Sequence, residues 1–321
     1  MTKKILVKRR HHYVWAHYLR SWDEGGGVFY VTPKGNVAQS NANGLSFEDG
    51  FYKISTLDDR DVEYLSGWIE KSAVGLKKLH EDFLGDFIIR SRLAEKANES
   101  KASSEMLTAG AALEFNALED VHTNFERGAL NVLNDLSAGH FKSLDNDRNM
   151  LDFCCYLGHQ ITRTKFFRER TLKAVLENIP DTPKGKFYAH LSKKNWWYVN
   201  FMLGLNSGWA FYSSRKDSHK VAIVNNTLIP FVTSDNPVIN MHSSIDSLQP
   251  GEAPVYMDLY IAISPRYAYM INDSPDFNHL AGGISEADVQ RFNSRVADMA
   301  HLSVYSNERE VLAGMKWKPA S

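Results

Sequence analysis

Residues 145–180, DNDRNMLDFCCYLGHQITRTKFFRERTLKAVLENIP, decide how the chain is read. Asp145 or Asn146 can cap a helix at the start, and Pro180 ends it. Met150, Cys154, Leu157 and Ile161 stand at i, i+4, i+7 and i+11, an apolar stripe at helical period. The segment therefore predicts one amphipathic helix in the middle of the chain.

The helical pattern extends to both sides. Upstream, Leu57-Asp58-Asp59 opens a run in which Val62, Leu65, Trp68, Ile69, Leu76 and Leu79 recur at steps of three and four. The helix continues from Phe83 to Lys96, pauses over the polar segment 97–104, and resumes from Ser104 to Leu136. Downstream, the aromatic-rich segment Leu191–Leu203 reads as a further helix. After Leu205 the pattern turns to short β-like runs at Lys220–Val224, Leu228–Val232, Val255–Ile263 and Tyr267–Ile271, punctuated by Asn and Pro. Ser285–Ala300 closes with a helix whose buried face is Val289, Phe292, Val296 and Met299.

At the other end, His11–Trp22 reads as an amphipathic helix entry and Val28–Thr32 with Val37–Ser40 as a hairpin. The fold class is α+β, a helical middle (about 57–205) and a mixed or antiparallel β-rich C-terminal part (about 206–321) joined by the N-terminal hairpin (within 1–56). The expectation is a single α+β domain over residues 1–321.

With 43% hydrophobic and 23% charged residues, the composition excludes a mostly disordered chain. No stretch has the ~20 apolar residues of a membrane span. The charged start at Met1–Arg10 contains only Ile5-Leu6-Val7 as an apolar core, too short for a secretion signal. The only cysteines, Cys154 and Cys155, are adjacent and read as buried free thiols. A cytoplasmic location follows as an expectation.

The net charge of −1 hides a pattern. Residues 1–159 carry −4, residues 160–220 carry +8, and residues 221–321 carry −5. A basic middle between acidic flanks predicts a local anion-binding surface, against the plainer reading of a solvated helix face.

Three constellations carry candidate chemistry. The first is His11, His12, His17 and Arg20. On a continuous helix His12 and Arg20 lie roughly 80° apart, two turns from each other. Imidazole suits proton transfer near neutral pH, and guanidinium suits a phosphate or carboxylate. The second is Gln160, Arg163, Phe167 and Arg170, which a continuous helix gathers on one face within about 80°. Two guanidiniums beside a carboxamide make an oxyanion cradle, or else they pair with acids of a neighbouring helix. The third is Ser234-Asp235-Asn236-Pro237, a self-bonded turn or a strand-end acid. Lys193-Lys194 beside Trp196-Trp197-Tyr198 offers cations and stacking surface, while the aromatics equally fit a core. The acidic Asp58-Asp59-x-Asp61 reads as a helix first turn. Dinucleotide, phosphate-loop, zinc-protease and serine-elbow motifs are absent from the sequence.

In order and spacing these landmarks resemble the bacterial domain of unknown function 4238 family. The carriers are His12-Tyr13-Val14, Tyr18-Leu19-Arg20 with Trp22, Phe51-Tyr52, Trp68-Ile69-Glu70, Gln160-x-x-Arg163-Thr164, Thr233-Ser234-Asp235-Asn236-Pro237, Ile263-Ser264-Pro265, and Asn293 to Ser306. Trp15 departs from the proline common at that place in the family. The resemblance implies no settled activity.

From the residues, the leading expectation is a metal-independent phosphodiester or phosphate-ester hydrolase, a nuclease in a toxin-like or phage-defence setting. His12 acts as acid or base, Arg163 and Gln160 hold the phosphate, Arg20 assists, and Asp235 orients His12 or shares its proton. Glu70 is a second acid/base candidate. Arg170, Ser234, Lys193 and Lys194 bind. No cofactor is expected, and the partner is nucleic acid or another phosphate-bearing ligand, without a membrane. Two alternatives stand beside it: a non-catalytic module for an anionic ligand or partner protein, and a metal-dependent hydrolase using His11, His12, Asp235 and Glu70.

Overall fold

The computed structural model describes residues 5–99, 102–248, 252, 254–315 and 317–318. The chain begins with β1 (Arg10–His12), α1 (Ala16–Leu19), a 3-10 turn over Arg20–Trp22, the hairpin strands β2 (Val28–Val31) and β3 (Val37–Ser40), and β4 (Phe47–Asp49). The helical middle follows as α2 (Asp59–Ile69), α3 (Val74–Ala97), α4 (Ser104–Ser137), α5 (Asp147–Thr162), α6 (Lys165–Glu177), α7 (Pro183–Lys194) and α8 (Trp196–Ser213). Then come β5 (His219–Val224), β6 (Thr233–Ser234), β7 (Val238–Asn240), β8 (Leu259–Ala262), β9 (Tyr267–Asn272), α9 (Glu286–Asp298), β10 (Val304–Ser306) and α10 (Arg309–Met315).

The architecture is α+β, and its sheets are antiparallel. β1 pairs with β4, a second sheet has the order β3-β2-β10-β6, and a third has β5-β9-β8-β7. The N-terminal hairpin thus joins the C-terminal part through β10, with Tyr30 opposite Tyr305. Gly35, at φ +80°, makes the hairpin turn that brings the Asn36 carbonyl to the Thr32 N–H.

Five expectations about elements are corrected. The segment 145–180 is two helices, because Thr164 leaves helical geometry at ψ 154° and its hydroxyl accepts the Phe167 N–H as a new N-cap. Gln160 and Arg163 therefore do not share a helix face with Phe167 and Arg170. Leu191–Leu203 is likewise broken, at Asn195, between α7 and α8. His11 and His12 lie on β1 rather than on a helix with Arg20, and the helical turns begin only at Ala16. Residues 228–232 form no strand: Pro230 has no N–H for a ladder, and Asn225 holds the loop by donating to the Ile229 carbonyl. Of Val255–Ile263, only Leu259–Ala262 is strand.

Other readings hold. Asp58 caps α2 in a capping box with Asp61. Met150, Cys154 and Leu157 are buried, and Ile161 is half-buried. Both cysteines are free, and burial pushes their thiols up to about 12 (Cys154) and about 11 (Cys155). The core runs through helices and sheets alike, from Leu19 and Trp22 through Phe87, Phe153 and Phe201 to Ile261 and Phe292. At its centre α5 packs on α8 across Gly158, Gly204 and Gly208. A Cβ at Gly158 would run into the Gly204 carbonyl and the Gly208 backbone. Among the described residues no helix is long and apolar enough to cross a membrane.

Candidate functional site

Gln160 and Arg163 converge on the backbone of the His12-Tyr13 segment. Gln160 donates Nε2–H to the Tyr13 carbonyl at 2.9 Å. Arg163 donates Nε–H to the same carbonyl at 3.3 Å and Nη2–H to the His12 carbonyl at 2.7 Å. Its Nη1 meets Glu126 Oε1 of α4 at 2.7 Å. At 3% exposure, the guanidinium has spent its donors on a clasp that holds β1 against α4 and α5. Tyr52 adds its hydroxyl at 3.1 Å from the His12 carbonyl. Tyr18 donates to the Ala262 carbonyl and Trp22 to the Phe231 carbonyl, tying the same N-terminal segment to the β-rich part.

Asp235 is 1% exposed and accepts the backbone N–H groups of His301 and Leu302 at 3.0 and 2.8 Å. Burial raises its carboxyl above the usual range against these hydrogen bonds. Ser234 donates to the Asn236 carbonyl and accepts the Asn236 N–H, which is the self-bonded turn. No hydrogen bond or ion pair joins Asp235 to His12 or Arg163 among the described residues.

His12 and Arg20 do meet, across the loop at Asn43. His12 donates Nε2–H to the Asn43 carbonyl at 3.2 Å, and Arg20 donates to Asn43 Oδ1 at 3.1 Å. Burial lowers the imidazole, and Arg163, Arg10 and Arg20 lower it further, so the ring is neutral at pH 7. Glu70 lies apart, exposed at the end of α2 and paired with Lys77 at 2.5 Å. Arg170 is exposed beside the Phe166 ring. The metal-site reading is not assembled: both His11 ring nitrogens are engaged, one by the Tyr52 N–H and one by the Lys8 carbonyl. Glu70 and Asp235 are committed elsewhere, and the described residues contain no group of three or more ligating side chains.

A buried polar cluster was missed by sequence reasoning. Glu119, His122 and Glu126 stand at i, i+3 and i+7 on α4 and face Arg163, so Glu-x-x-His-x-x-x-Glu was the available signal. Burial pushes the Glu119 carboxyl up to about 7, opposed by Arg163. Burial also pushes the His159 imidazole down to about 3. Among the described residues neither His159 ring nitrogen has a hydrogen-bond partner, and His122 Nδ1 has none. Both rings lie among aromatics, His122 at 4.7 Å from Tyr52 and His159 at 4.3 Å from Phe125.

The basic segment builds a different feature. A polar recess of about 210 Å³ lies between the end of β4, α6 and the α7–α8 junction. Its cations are Lys53, Arg168, Lys193 and Lys194, and its one acid is Glu48. Lys53 pairs with Glu114 and Lys194 with Asp61, while Glu48 is taken by Lys165. The ammonium of Lys193 and the guanidinium of Arg168 have no acid partner among the described residues, and Arg168 lies over the Phe51 ring at 5.3 Å. Trp196 and Asn200 complete the wall, each 4% exposed. The Trp196 Nε1–H and the Asn200 Oδ1 have no hydrogen-bond partner among the described residues. The C-terminal pole of α7 and the N-terminal pole of α8 meet at Asn195, so their dipoles oppose each other and the positive charge of the recess comes from its side chains. Trp196, Trp197 and Tyr198 are themselves buried, so they form core and not an open stacking surface.

The sequence matches the family model described as protein of unknown function (DUF4238) over residues 10–310. No curated protein and no solved structure matches it.

Proposed function

The chain belongs to the DUF4238 family, and from its geometry we propose that it binds a phosphate-bearing anion in the recess of Lys53, Arg168, Lys193 and Lys194. The observation that carries this reading is the surplus of positive charge in a polar recess in which two cations have no acid partner among the described residues. Charge-assisted hydrogen bonds from ammonium and guanidinium groups are the strong ones, and a recess excludes the water that weakens them. Arg163, by contrast, is already neutralised by Glu126. Titration of the full chain with orthophosphate tests the reading. Saturable binding is expected, weakened at least about tenfold by Lys193→Ala with Arg168→Ala and unchanged by His12→Ala. No binding up to ~10 mM phosphate, or binding indifferent to the double variant, overturns it.

A second reading, phosphodiester hydrolysis, is favoured by one observation. The His12 ring spends Nε2–H on Asn43, has a lowered pKa, and has no partner at Nδ1 among the described residues. Such a nitrogen can take a proton from an attacking water, with Arg20 beside it. Nuclease and phosphatase assays of wild type and His12→Ala test it. Turnover lost in the variant supports the reading, and equal rates in both proteins remove it.

A further inference from the structure

Resting on the anion-binding reading, we propose that the recess takes the phosphate of a single phosphomonoester whose flat, uncharged body lies in the adjoining groove, a ligand of the chemistry of a nucleoside monophosphate. The recess shares Glu48, Phe51 and Arg168 with a groove of about 680 Å³ that follows the outer face of α6. The two share a wall, and their charges are segregated. The groove carries three cations (Lys165, Arg168 and Lys173) and three carboxylates (Glu48, Glu169 and Glu177). Lys165 meets Glu48 at 2.5 Å and Lys173 meets Glu177 at 3.9 Å. The recess carries four cations and one carboxylate. One anionic head is therefore matched to the recess, and the balanced groove has no surplus for a second phosphate, which disfavours a polynucleotide.

The groove also specifies the body. Leu172 and Leu176 give it an apolar wall. At the junction the Arg168 guanidinium lies over Phe51, a planar cation on an aromatic ring, and a base stacks on such a plane. The rim carboxylate of Glu169 has Oε2 at 3.2 Å from His301 Nε2, and its other oxygen is a hydrogen-bond acceptor for sugar hydroxyls or an exocyclic amine. Trp196, whose indole N–H is buried and has no hydrogen-bond partner among the described residues, forms part of the recess wall.

The test is calorimetric titration of the full chain with orthophosphate, adenosine, adenosine 5′-monophosphate and octyl phosphate. Adenosine 5′-monophosphate is expected to bind at least about tenfold more tightly than orthophosphate, with adenosine and octyl phosphate weaker than the nucleotide. Leu172→Ala should lower nucleotide affinity and leave orthophosphate affinity unchanged, a readout that misfolding would not mimic. Equal affinities for orthophosphate and nucleotide overturn the proposal and leave the anion site standing. Octyl phosphate binding as tightly as the nucleotide overturns the flat body. Binding of neither orthophosphate nor nucleotide overturns both readings.

Discussion

Arg163 and Glu126 form a buried ion pair at 2.7 Å, and the same guanidinium holds the carbonyls of His12 and Tyr13. One side chain therefore fixes three segments: β1, α4 and the end of α5. Breaking such a pair by removing one partner leaves a buried charge and costs about 3–5 kcal/mol. Arg163→Ala is expected to lose stability in that range, read by urea denaturation. Arg163→Lys keeps the charge and loses the planar fork, so it should fall between the two. A loss below about 1 kcal/mol for Arg163→Ala would mean that the clasp does not hold the fold.

The Glu119 carboxyl, raised to about 7 from 4.5 by burial, gives a signed pH dependence. Between those values the folded chain holds a proton that the unfolded chain has released. The Glu119 contribution is thus fully present below 4.5 and is lost as pH rises through about 7. Glu119→Gln should abolish this term, so the variant gains stability over wild type on going from pH 5 to pH 8. Parallel stability profiles for the two proteins would contradict the assignment.

His159 acts in the opposite direction. Its imidazole is buried neutral, at about 3 against 6.5. The unfolded chain takes up the proton first, so stability is full above 6.5 and declines as pH falls toward 3. His159→Phe should flatten the decline between pH 7 and pH 5, measured by thermal melts. An unchanged decline would show that other groups set the acid limb.

Gly208 lies where α8 crosses α5, and a Cβ there would sit 2.7 Å from the Cys155 Cα. Because the obstacle is backbone, Gly208→Ala should destabilise by about 1–3 kcal/mol even though alanine favours a helix. Gly85, on the same kind of helix with open space around its Cα, should gain stability from the same change. Equal responses at the two glycines would contradict close packing at the crossing.

Much of the architecture was legible because its signals are local. The capping box at Asp58 and Asp61, the hairpin turn at Gly35 and the stripe of Met150, Cys154 and Leu157 follow from near neighbours. The break at Thr164 was not legible, since its helical flanks keep an apolar pattern across the cap. Gln160 and Arg163 meet the His12-Tyr13 segment while Asp235 and Glu70 stand apart, and the partners of all of them were hidden. Gln160 and Arg163 reach carbonyls about 150 positions away, and Asp235 reaches amides at 301 and 302, distances that no spacing rule encodes. Polar side chains that fasten backbone look, in a sequence, like polar side chains gathered for catalysis. The recess escaped for the same reason: Lys53 precedes Lys193 by 140 positions, and the two meet only after α7 turns into α8 at Asn195.

The most direct test of the anion recess is the indole N–H resonance of Trp196 during titration of the full chain with orthophosphate. The account predicts a saturable shift of that resonance, absent in Lys193→Ala with Arg168→Ala, while the half-exposed Trp209 stays still. A Trp196 resonance that does not move, or that moves equally in the double variant, would contradict the claim that this recess binds an anion.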